Sequence, residues 1–453
     1  MGITKLFDIS RRSLLTYQKA LSITSNNVAN ANNPDYSRQR SLFSNVGPDY
    51  RTNIAIGSGV QLTDVERIRD QILDRQSWEY RQNYNSAQKQ SSILANIESL
   101  FSEPSEQGMS ALLDQFFNSW DDLSVDPTSS ALRSNVVYAA ENLSVKLQNV
   151  YEGMTTLRRD LKKDSQVLVG DLNNYITELK HINKQIYEAT VVNKGANDLL
   201  DKRDELLNKM SDIANIQVNI DEYGVANVSI GGVFAVDRVH SITFDIFEES
   251  NGKLALKTED GNSKVALQSG ELYGNFRSVN EFIPEAKEQF DDLFNSIVFH
   301  VNQSHSQGYS TTDPPVTGID FFEGYSNGVL KINKDIIDDP QLIAVSKDGT
   351  NGNNELALEL AKLQHNNLLN GSTFAENYAN IVGSLASEKQ FQDQNTETFG
   401  LVLNQLEQQI SSVSGVSIDE EMIDVLKYQR SYDASAKLIS IADEMMKTVL
   451  QMI

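Results

Sequence analysis

The sequence predicts a mainly α-helical, elongated chain with a smaller antiparallel β domain. The chain is expected to go out and return, so that its termini pair as coiled-coil-like helices at one end. Three observations favour this fold class. Only 8 of 453 residues are proline, so long helices are allowed. Apolar residues repeat every seven positions near both ends, and near residue 216 the period of the apolar residues changes to two.

Charge and composition exclude several classes of protein. The net charge of -23 argues against binding to nucleic acid or to an anionic membrane surface. Cysteine is absent, which excludes disulfides, thiolate metal sites and cysteine nucleophiles. No apolar run approaches the roughly 20 residues of a membrane span, and charged residues interrupt any signal-peptide core. A cytosolic protein remains possible, as does one exported without a cleaved signal peptide.

Residues 1–45 are predicted to form the first half of a terminal coiled-coil unit. The apolar residues of this first helix repeat every seven positions: Phe7, Leu14, Leu21 and Val28. The segment carries six basic and two acidic residues, a net charge of +4. The companion seam positions hold Ile3, Ser10, Tyr17 and Thr24, so the seam is only half apolar. Such a helix is too weakly stabilised to stand alone.

Residues 411–453 are predicted to form the other half of that unit. Their apolar residues also follow seven-residue spacing: Ile418, Val425, Tyr432, Ile439, Met446 and Ile453. Met422 and Leu450 lie on the adjoining seam. Ser417 and Glu420 have the spacing of a capping box, and the net charge is -3. The two oppositely charged helices are expected to pair with each other or with neighbouring copies. Two ordinary amphipathic helices on one core remain an equal alternative.

Between the ends, the sequence predicts two helical stretches separated by a β domain. Residues 46–215 are expected to be helical, with one helix or helix pair over 132–189 that is about 80 Å long. Residues 216–270 alternate between apolar and polar residues and contain hairpin turns, so a small β domain at the outer tip is expected. Residues 271–410 would return through the helical domain, with a looped segment at 303–354.

The sequence contains no pattern typical of an enzyme. The five histidines lack metal-ligand spacing and are expected on the surface or on polar helix faces. The glycine pairs lack the remaining residues of a phosphate-binding loop. No catalytic residue, metal ligand or cofactor site is therefore predicted.

The strongest local signal is the asparagine-rich stretch that follows the first helix. Asparagine bonds to its own backbone through its side chain, and proline forces the preceding residue into an extended conformation. A tightly hydrogen-bonded turn is predicted, with an extended arm after it. Its candidate contact residues are Asn27, Asn30, Asn32, Pro34 and Tyr36.

This stretch resembles the signature of the bacterial flagellar rod, hook and hook-associated protein family. Residues 27–36 read NVANANNPDY, with Asn33 and Asp35 where the family usually has threonine and glycine. Residues 414–446 resemble the C-terminal sequence of the same family. The sequence at 36–40 and at 197–204 is most similar to the hook-associated members at the hook–filament junction. Compared with longer members, an outer domain is expected to be missing or reduced near residues 308–321.

The resemblance implies a structural adaptor that is not an enzyme and has no cofactor. Such a protein is exported unfolded through the flagellar type III apparatus and polymerises outside the cell as a short tube. Its implied partners are other copies of itself, the hook protein on one side and a second junction protein or filament on the other. The resemblance also implies that an export chaperone binds the C-terminal helix.

Two alternatives remain open from the sequence. A rod or hook protein of the same family would lack the long helical block at 132–213. A cytosolic coiled-coil scaffold would have stable terminal helices in the free protein, whereas the adaptor would have terminal helices that become rigid on assembly.

Overall fold

The computed structural model describes residues 2–47, 57–101, 103, 105, 107–192 and 194–452. Its longer helices are α1 (Gly2–Ala29), α2 (Gln71–Phe101), α3 (Met109–Val125), α4 (Ser130–Val191), α5 (Asn197–Ile213), α7 (Ile283–His305), α10 (Phe374–Ser414) and α11 (Ile418–Gln451). Three shorter helices are α6 (Glu271–Arg277), α8 (Lys334–Asp338) and α9 (Glu355–Lys362). A π-helical turn, Ser278–Phe282, joins α6 to α7.

All strand pairs in the described residues are antiparallel. The strands are β1 (Gln39–Asn45), β2 (Val60–Arg67), β3 (Ile216–Ile220), β4 (Ala226–Ile230), β5 (Val233–Val236), β6 (Phe244–Glu248), β7 (Leu254–Thr258), β8 (Phe322–Ser326) and β9 (Val329–Ile332). Strands β3, β4 and β5 form one sheet, and the others form three hairpins. The predicted fold class, mainly helical with small antiparallel sheets, is confirmed.

Helices α1 and α11 pack along each other and, with the β1–β2 hairpin, form what we call the terminal module. The helices are antiparallel, because Asn27 near the end of α1 contacts Glu421 near the start of α11, while Tyr17 stacks on Tyr428. The predicted pairing of the two termini is therefore confirmed. Ile453, the last residue of the predicted repeat, lies outside the described residues.

The rest of the chain, which we call the body, is built around the 62-residue helix α4. Helix α2 runs antiparallel to α4, since Lys89 binds Asp164 at 2.8 Å while Leu100 lies beside Gly153. A Cβ atom at position 153 would lie 2.7 Å from Leu100, so glycine allows the two helices to approach closely. Helix α10 packs antiparallel to α2, since Arg81 binds Glu407 while Ser91 binds Asp393, and it returns the chain to the terminal module.

The predicted position of the β domain at the outer tip is wrong. Asn183, near the end of α4, exchanges two hydrogen bonds with the backbone of Ala226 in β4. The sheet therefore lies at the end of α4 close to the terminal module, whereas α3 and the β8–β9 hairpin cover the start of α4. The chain therefore leaves the terminal module and returns to it twice. It leaves through α2 and returns through α4, and after the sheet it leaves through α7 and returns through α10.

Three local predictions also need correction. Residues 57–67 were predicted as the start of the helical domain, but they contribute β2 to the terminal hairpin. Only one face of β2 is covered, so the alternation of apolar and polar residues along it is weak. The segment 303–354 is not only loop, since it contains β8, β9 and α8. Ser417 accepts a hydrogen bond from the Glu420 backbone, but the Glu420 carboxylate binds Arg38 instead of completing a capping box.

The prediction of surface histidines is wrong for His305, which is fully buried. Its Nδ1 donates to the Ile319 carbonyl at 2.7 Å, and its Nε2 accepts from the Ala344 amide at 2.9 Å. A neutral imidazole can satisfy both ring nitrogens in this way, which makes burial acceptable. No described helix is long and apolar enough to cross a membrane.

Candidate assembly interface

The asparagine-rich turn forms a closed hydrogen-bonded structure directly after α1. The Asn33 amide donates to the Asn30 carbonyl at 2.9 Å, and the Tyr36 amide donates to the Asn33 carbonyl at 3.2 Å. The Asn30 side chain bonds back to the Asn26 carbonyl at 2.9 Å, and the Asn33 side chain accepts from the Asp35 amide. The predicted turn is thus present, and asparagine side chains supply much of its hydrogen bonding.

Asn27 is the centre of this region and is only 1% exposed. Its Nδ2 donates to the Gln39 carbonyl at 2.8 Å and to the Glu421 carboxylate at 2.9 Å. Its Oδ1 accepts from the Tyr36 hydroxyl at 2.7 Å and from the Gln39 amide at 3.0 Å. All four hydrogen-bonding positions of the amide are used, so one side chain joins α1, the turn, β1 and α11.

Glu421 is the partner of Asn27 on α11 and is 2% exposed. Its second carboxylate oxygen accepts from the Arg38 Nε at 2.7 Å. The same guanidinium binds Glu420 at 2.6 Å, and the Arg38 amide donates to the Ser414 carbonyl at 2.9 Å. A buried carboxylate is tolerated here because a charge and an amide both donate to it.

Three aromatic rings extend this contact along the two helices. Tyr17, Phe43 and Tyr428 have ring centroids 5.8 to 6.3 Å apart. Burial raises the pKa of Tyr428, and the nearby carboxylates of Asp424 and Glu421 raise it further. Burial likewise raises the pKa of Tyr36 to about 12, with Asp201, Asp198 and Glu421 adding to the effect. Both hydroxyls therefore stay protonated near neutral pH.

The residues predicted as contacts lie at the edges of the α1–α11 seam or on its outside. In α1 the buried residues are small or polar: Ser10, Thr16, Ala20, Thr24 and Asn27. In α11 the buried residues are Glu421, Tyr428, Ser435 and Ala442. The predicted residues Leu14, Leu21, Val28, Val425, Tyr432 and Ile439 are half-buried, while Phe7, Ile418, Met422, Met446 and Leu450 are exposed. In the turn, Asn27 is buried, Asn30 and Tyr36 are half-buried, and Asn32 and Pro34 are exposed.

The sequence prediction missed the seam that the two helices share. Positions 421, 428, 435 and 442 are seven residues apart, but they hold an acid, a tyrosine, a serine and an alanine. An apolar-repeat search passes over such a mixture, although the spacing itself is a usable signal. The roles of Arg38 and Glu421 depend on contacts across almost the whole chain, which no local pattern contains.

A second polar group joins the terminal module to the body, and we call it the arginine–aspartate cluster. Arg67, at the end of β2, binds Asp201 at 2.7 Å and Asp204 at 2.6 Å on α5. The cluster comprises Arg67, Arg69, Asp74, Asp201, Arg203 and Asp204. The Arg67 and Asp204 side chains are 7% and 4% exposed, so the solvent screens this pair weakly.

The charges of this cluster balance within a buried environment. Burial raises the pKa of Asp204, but the guanidiniums of Arg203, Arg67 and Arg69 outweigh burial and leave the pKa below its ordinary value. Burial raises the pKa of Asp201, and Arg67 only partly opposes the rise. The cluster can hold two parts of the chain together, because its three carboxylates are paired with three guanidiniums. Among the described residues, no group of His, Asp or Glu side chains is arranged to hold a metal ion.

Comparisons with known proteins agree with this architecture. Residues 94–322, just over half of the chain, match the family model described as flagellar hook-associated protein FlgK helical domain. Residues 407–452 match the model described as flagellar basal body rod FlgEFG protein C-terminal.

Whole-chain relatives and a solved structure point the same way. Flagellar hook-associated protein 1 of Bacillus subtilis is 28% identical, over 98% of this chain and 97% of its own. The protein of the same name from Salmonella typhimurium is 23% identical, over 99% of this chain and 100% of its own length. The structure of the flagellar hook junction protein FlgK from Burkholderia pseudomallei shares the fold, with a TM-score of 0.65 at 12% identity, covering 75% of this chain and all of that one. The chain therefore belongs to the FlgK family of flagellar hook-associated proteins.

Proposed function

We propose that this chain is a structural subunit of the bacterial flagellum that polymerises as a short tube between hook and filament. The observation that carries the proposal is the outer surface of α11, which exposes large apolar side chains along most of its length. These are Ile418, Met422, Ile423, Leu426, Leu438, Ile441, Met445, Met446, Val449, Leu450 and Met452. An apolar surface of this extent is typical of a protein interaction site.

The proposed partners follow from this surface and from the family. Other copies of the chain would cover α11 in the tube, with the hook protein on one side and a second junction protein or filament on the other. Before export, a chaperone would bind the same face of α11, whose methionines adapt to different partners. The proposal includes export through the flagellar type III apparatus and a location outside the cell. It does not include any catalytic activity.

The division of the chain follows the same logic. Residues 1–45 and 411–453 would form the inner polymerisation unit, completed by β2, and the body would lie outside it. The packing of α4 and α5 with α2 favours a hook-associated role over a rod or hook protein, because rod and hook proteins lack that helical block.

Binding to hooks tests the proposal directly. We expect the purified chain, added to isolated hooks, to appear by electron microscopy as a cap at the distal end only. Each hook offers its proximal end and its side wall as internal controls. Uniform decoration of the hook, or no binding at concentrations that saturate a known junction protein, would contradict the proposal.

Removing residues 420–453 should separate assembly from folding of the body. The hydrophobic core of the body contains none of these residues, so the thermal transition of the body should not change. Incorporation at the hook end should be lost, because the α11 surface is gone. A truncated chain whose body melts earlier would show that α11 stabilises the body itself.

Hydrogen exchange separates the adaptor from a cytosolic scaffold. The α1–α11 seam buries mostly small or polar residues, so its pairing in the free chain should be marginal and often open. We expect prompt exchange across 2–28 and 418–452, and strong protection in the middle of α4. Equal protection in all three helices would favour the scaffold.

A further inference from the structure

Helix α10 leaves one face uncovered along its second half. On the opposite face, Leu403 and Leu406 are buried where α10 packs against α2. The uncovered face consists of exposed residues that are alternately three and four positions apart: Phe391, Gln394, Thr398, Leu401, Gln405, Gln408 and Ser412. This spacing follows one side of a helix over about 32 Å. We call these residues the α10 stripe.

The α10 stripe contains no charged residue, although 22% of the residues of the chain are charged. Charges beside the stripe are paired within the molecule, since Lys389 binds Asp393 at 2.8 Å and Arg81 binds Glu407 at 2.6 Å. Leu401, near the middle of the stripe, is 65% exposed. A lack of charge around exposed apolar side chains is typical of the centre of a protein–protein interface.

The first part of α4 carries a second exposed stripe of the same kind, about 27 Å long. The residues of this α4 stripe are uncharged and are also three and four positions apart: Ala131, Asn135, Tyr138, Asn142, Val145 and Asn149. Tyr138 and Val145 are 63% and 57% exposed. The later part of α4 exposes charged residues instead: Glu152, Arg159, Asp160, Lys163, Asp171, Glu178 and Lys184. The lack of charge is therefore a feature of the stripe and not of the whole helix.

The two stripes lie at different levels of the body. The α10 stripe runs alongside α2, because Arg81 of α2 binds Glu407. The α4 stripe lies past the end of α2, because Leu100, one residue before that end, lies beside Gly153. One stripe therefore does not cover the other within a single chain, and the partner of each stripe is a different molecule.

A second copy of the chain fits both stripes. Each copy carries a net charge of -23, so most of the surfaces of two copies repel each other. Two uncharged stripes of similar length meet without that repulsion, and helix faces with this spacing pack lengthwise at about 20°. A contact between two different surfaces also repeats from copy to copy, so it builds a ring or a helical tube instead of a closed pair.

We propose that the α10 stripe of one copy packs along the α4 stripe of the next copy in the tube. This inference rests on the tube proposed above, and it identifies a contact between copies that α11 does not supply. Leu401 of one copy then lies near the middle of the neighbour's α4 stripe, at Asn142. Both stripes belong to the body, so this contact does not require the terminal helices to be rigid beforehand.

Crosslinking tests which surfaces meet. The protein has no cysteine, so two single-cysteine chains, Leu401→Cys and Asn142→Cys, are assembled on isolated hooks as an equal mixture. A flexible bismaleimide should join them into a dimer of this chain, which gel electrophoresis detects. Each variant assembled alone should give no dimer, because two copies of the same stripe do not meet. A dimer from Leu401→Cys alone, a crosslink to the hook protein, or no dimer in a hook-bound mixture would overturn the proposal.

A charge placed in either stripe should weaken assembly. Val145→Glu and Leu401→Glu should each lower the apparent affinity for hook ends roughly tenfold or more, because the contact buries a carboxylate without a partner. The matched control is Val167→Glu, since this valine is 63% exposed on the charged part of the same helix, and it should bind like the parent chain. The thermal transition of the body should be the same in all three variants, because all three positions are exposed.

The parent chain separates the two proposals. If the parent binds hook ends and both stripe variants bind equally well, the contact between stripes is wrong while the proposed function stands. If Val167→Glu binds as weakly as the stripe variants, net charge governs assembly and the stripes have no special role. If the parent itself does not bind hook ends, the tube and the contact between stripes both fail.

Discussion

Replacing Glu421 by alanine should weaken assembly more than any other single change in α11. The substitution leaves the Asn27 amide and the Arg38 guanidinium without their shared acceptor, which costs about 2 to 3 kcal/mol at a site this buried. Because folding of the terminal module is linked to assembly, the same free energy should appear in binding. The apparent affinity for isolated hook ends should fall roughly 30- to 150-fold.

The matched control for this experiment is the neighbouring residue. Glu420 binds the same guanidinium at nearly the same distance, but its side chain is 62% exposed. Glu420→Ala should therefore cost less than about 1 kcal/mol and lower the affinity only a few-fold. Equal losses for the two variants would show that net charge, rather than the buried contact with Asn27, governs assembly.

Repeating patterns in the sequence predicted the helices and their pairing well. The long helix α4 has no proline and a nearly unbroken apolar repeat, so its extent could be predicted from a local pattern. The asparagine-rich turn was also predictable, because its residue types favour turns wherever they occur. These features depend on residues that are neighbours in sequence, so a single sequence is enough to predict them.

Contacts between distant residues were not predictable in the same way. Arg67 and Asp204 are 137 positions apart, and an isolated arginine and aspartate have no period that relates them. Asn27 could be identified as unusual, but its partner Glu421 could not, since seven acids lie in the last 43 residues. The position predicted for the β domain is wrong, because the seven-residue spacing of apolar residues in a helix does not show where the chain reverses direction.

Acid should destabilise the body through His305. The imidazole packs edge-on against Trp120 and Phe321, which also contact each other, and both ring nitrogens bond to main-chain groups. Burial, together with a smaller effect of the Arg133 guanidinium, lowers its pKa from 6.5 to about 4, although the hydrogen bond to the Ile319 carbonyl opposes both. The folded protein thus keeps this histidine neutral where an unfolded chain would protonate it.

The direction of the pH effect follows from that difference in pKa. Above pH 6.5 neither state is protonated and the full stability is present. Between pH 6.5 and 4 unfolding takes up a proton, so the free energy of unfolding falls as the pH falls, by roughly 3 kcal/mol in total. Below pH 4 the contribution of His305 to stability is lost.

Denaturant unfolding from pH 7 to 4.5, followed by tryptophan fluorescence, measures this loss. A His240→Gln variant is the control, because that histidine is exposed on the surface and should leave the slope against pH unchanged. A His305→Gln variant should be less stable at pH 7, because an amide with both polar atoms on one terminal carbon cannot reproduce the hydrogen bonds of Nδ1 and Nε2, but its slope should be shallower. If the His305 variant kept the full slope, carboxylates whose pKa is lowered in the folded protein, such as Asp204, would have to account for the acid sensitivity.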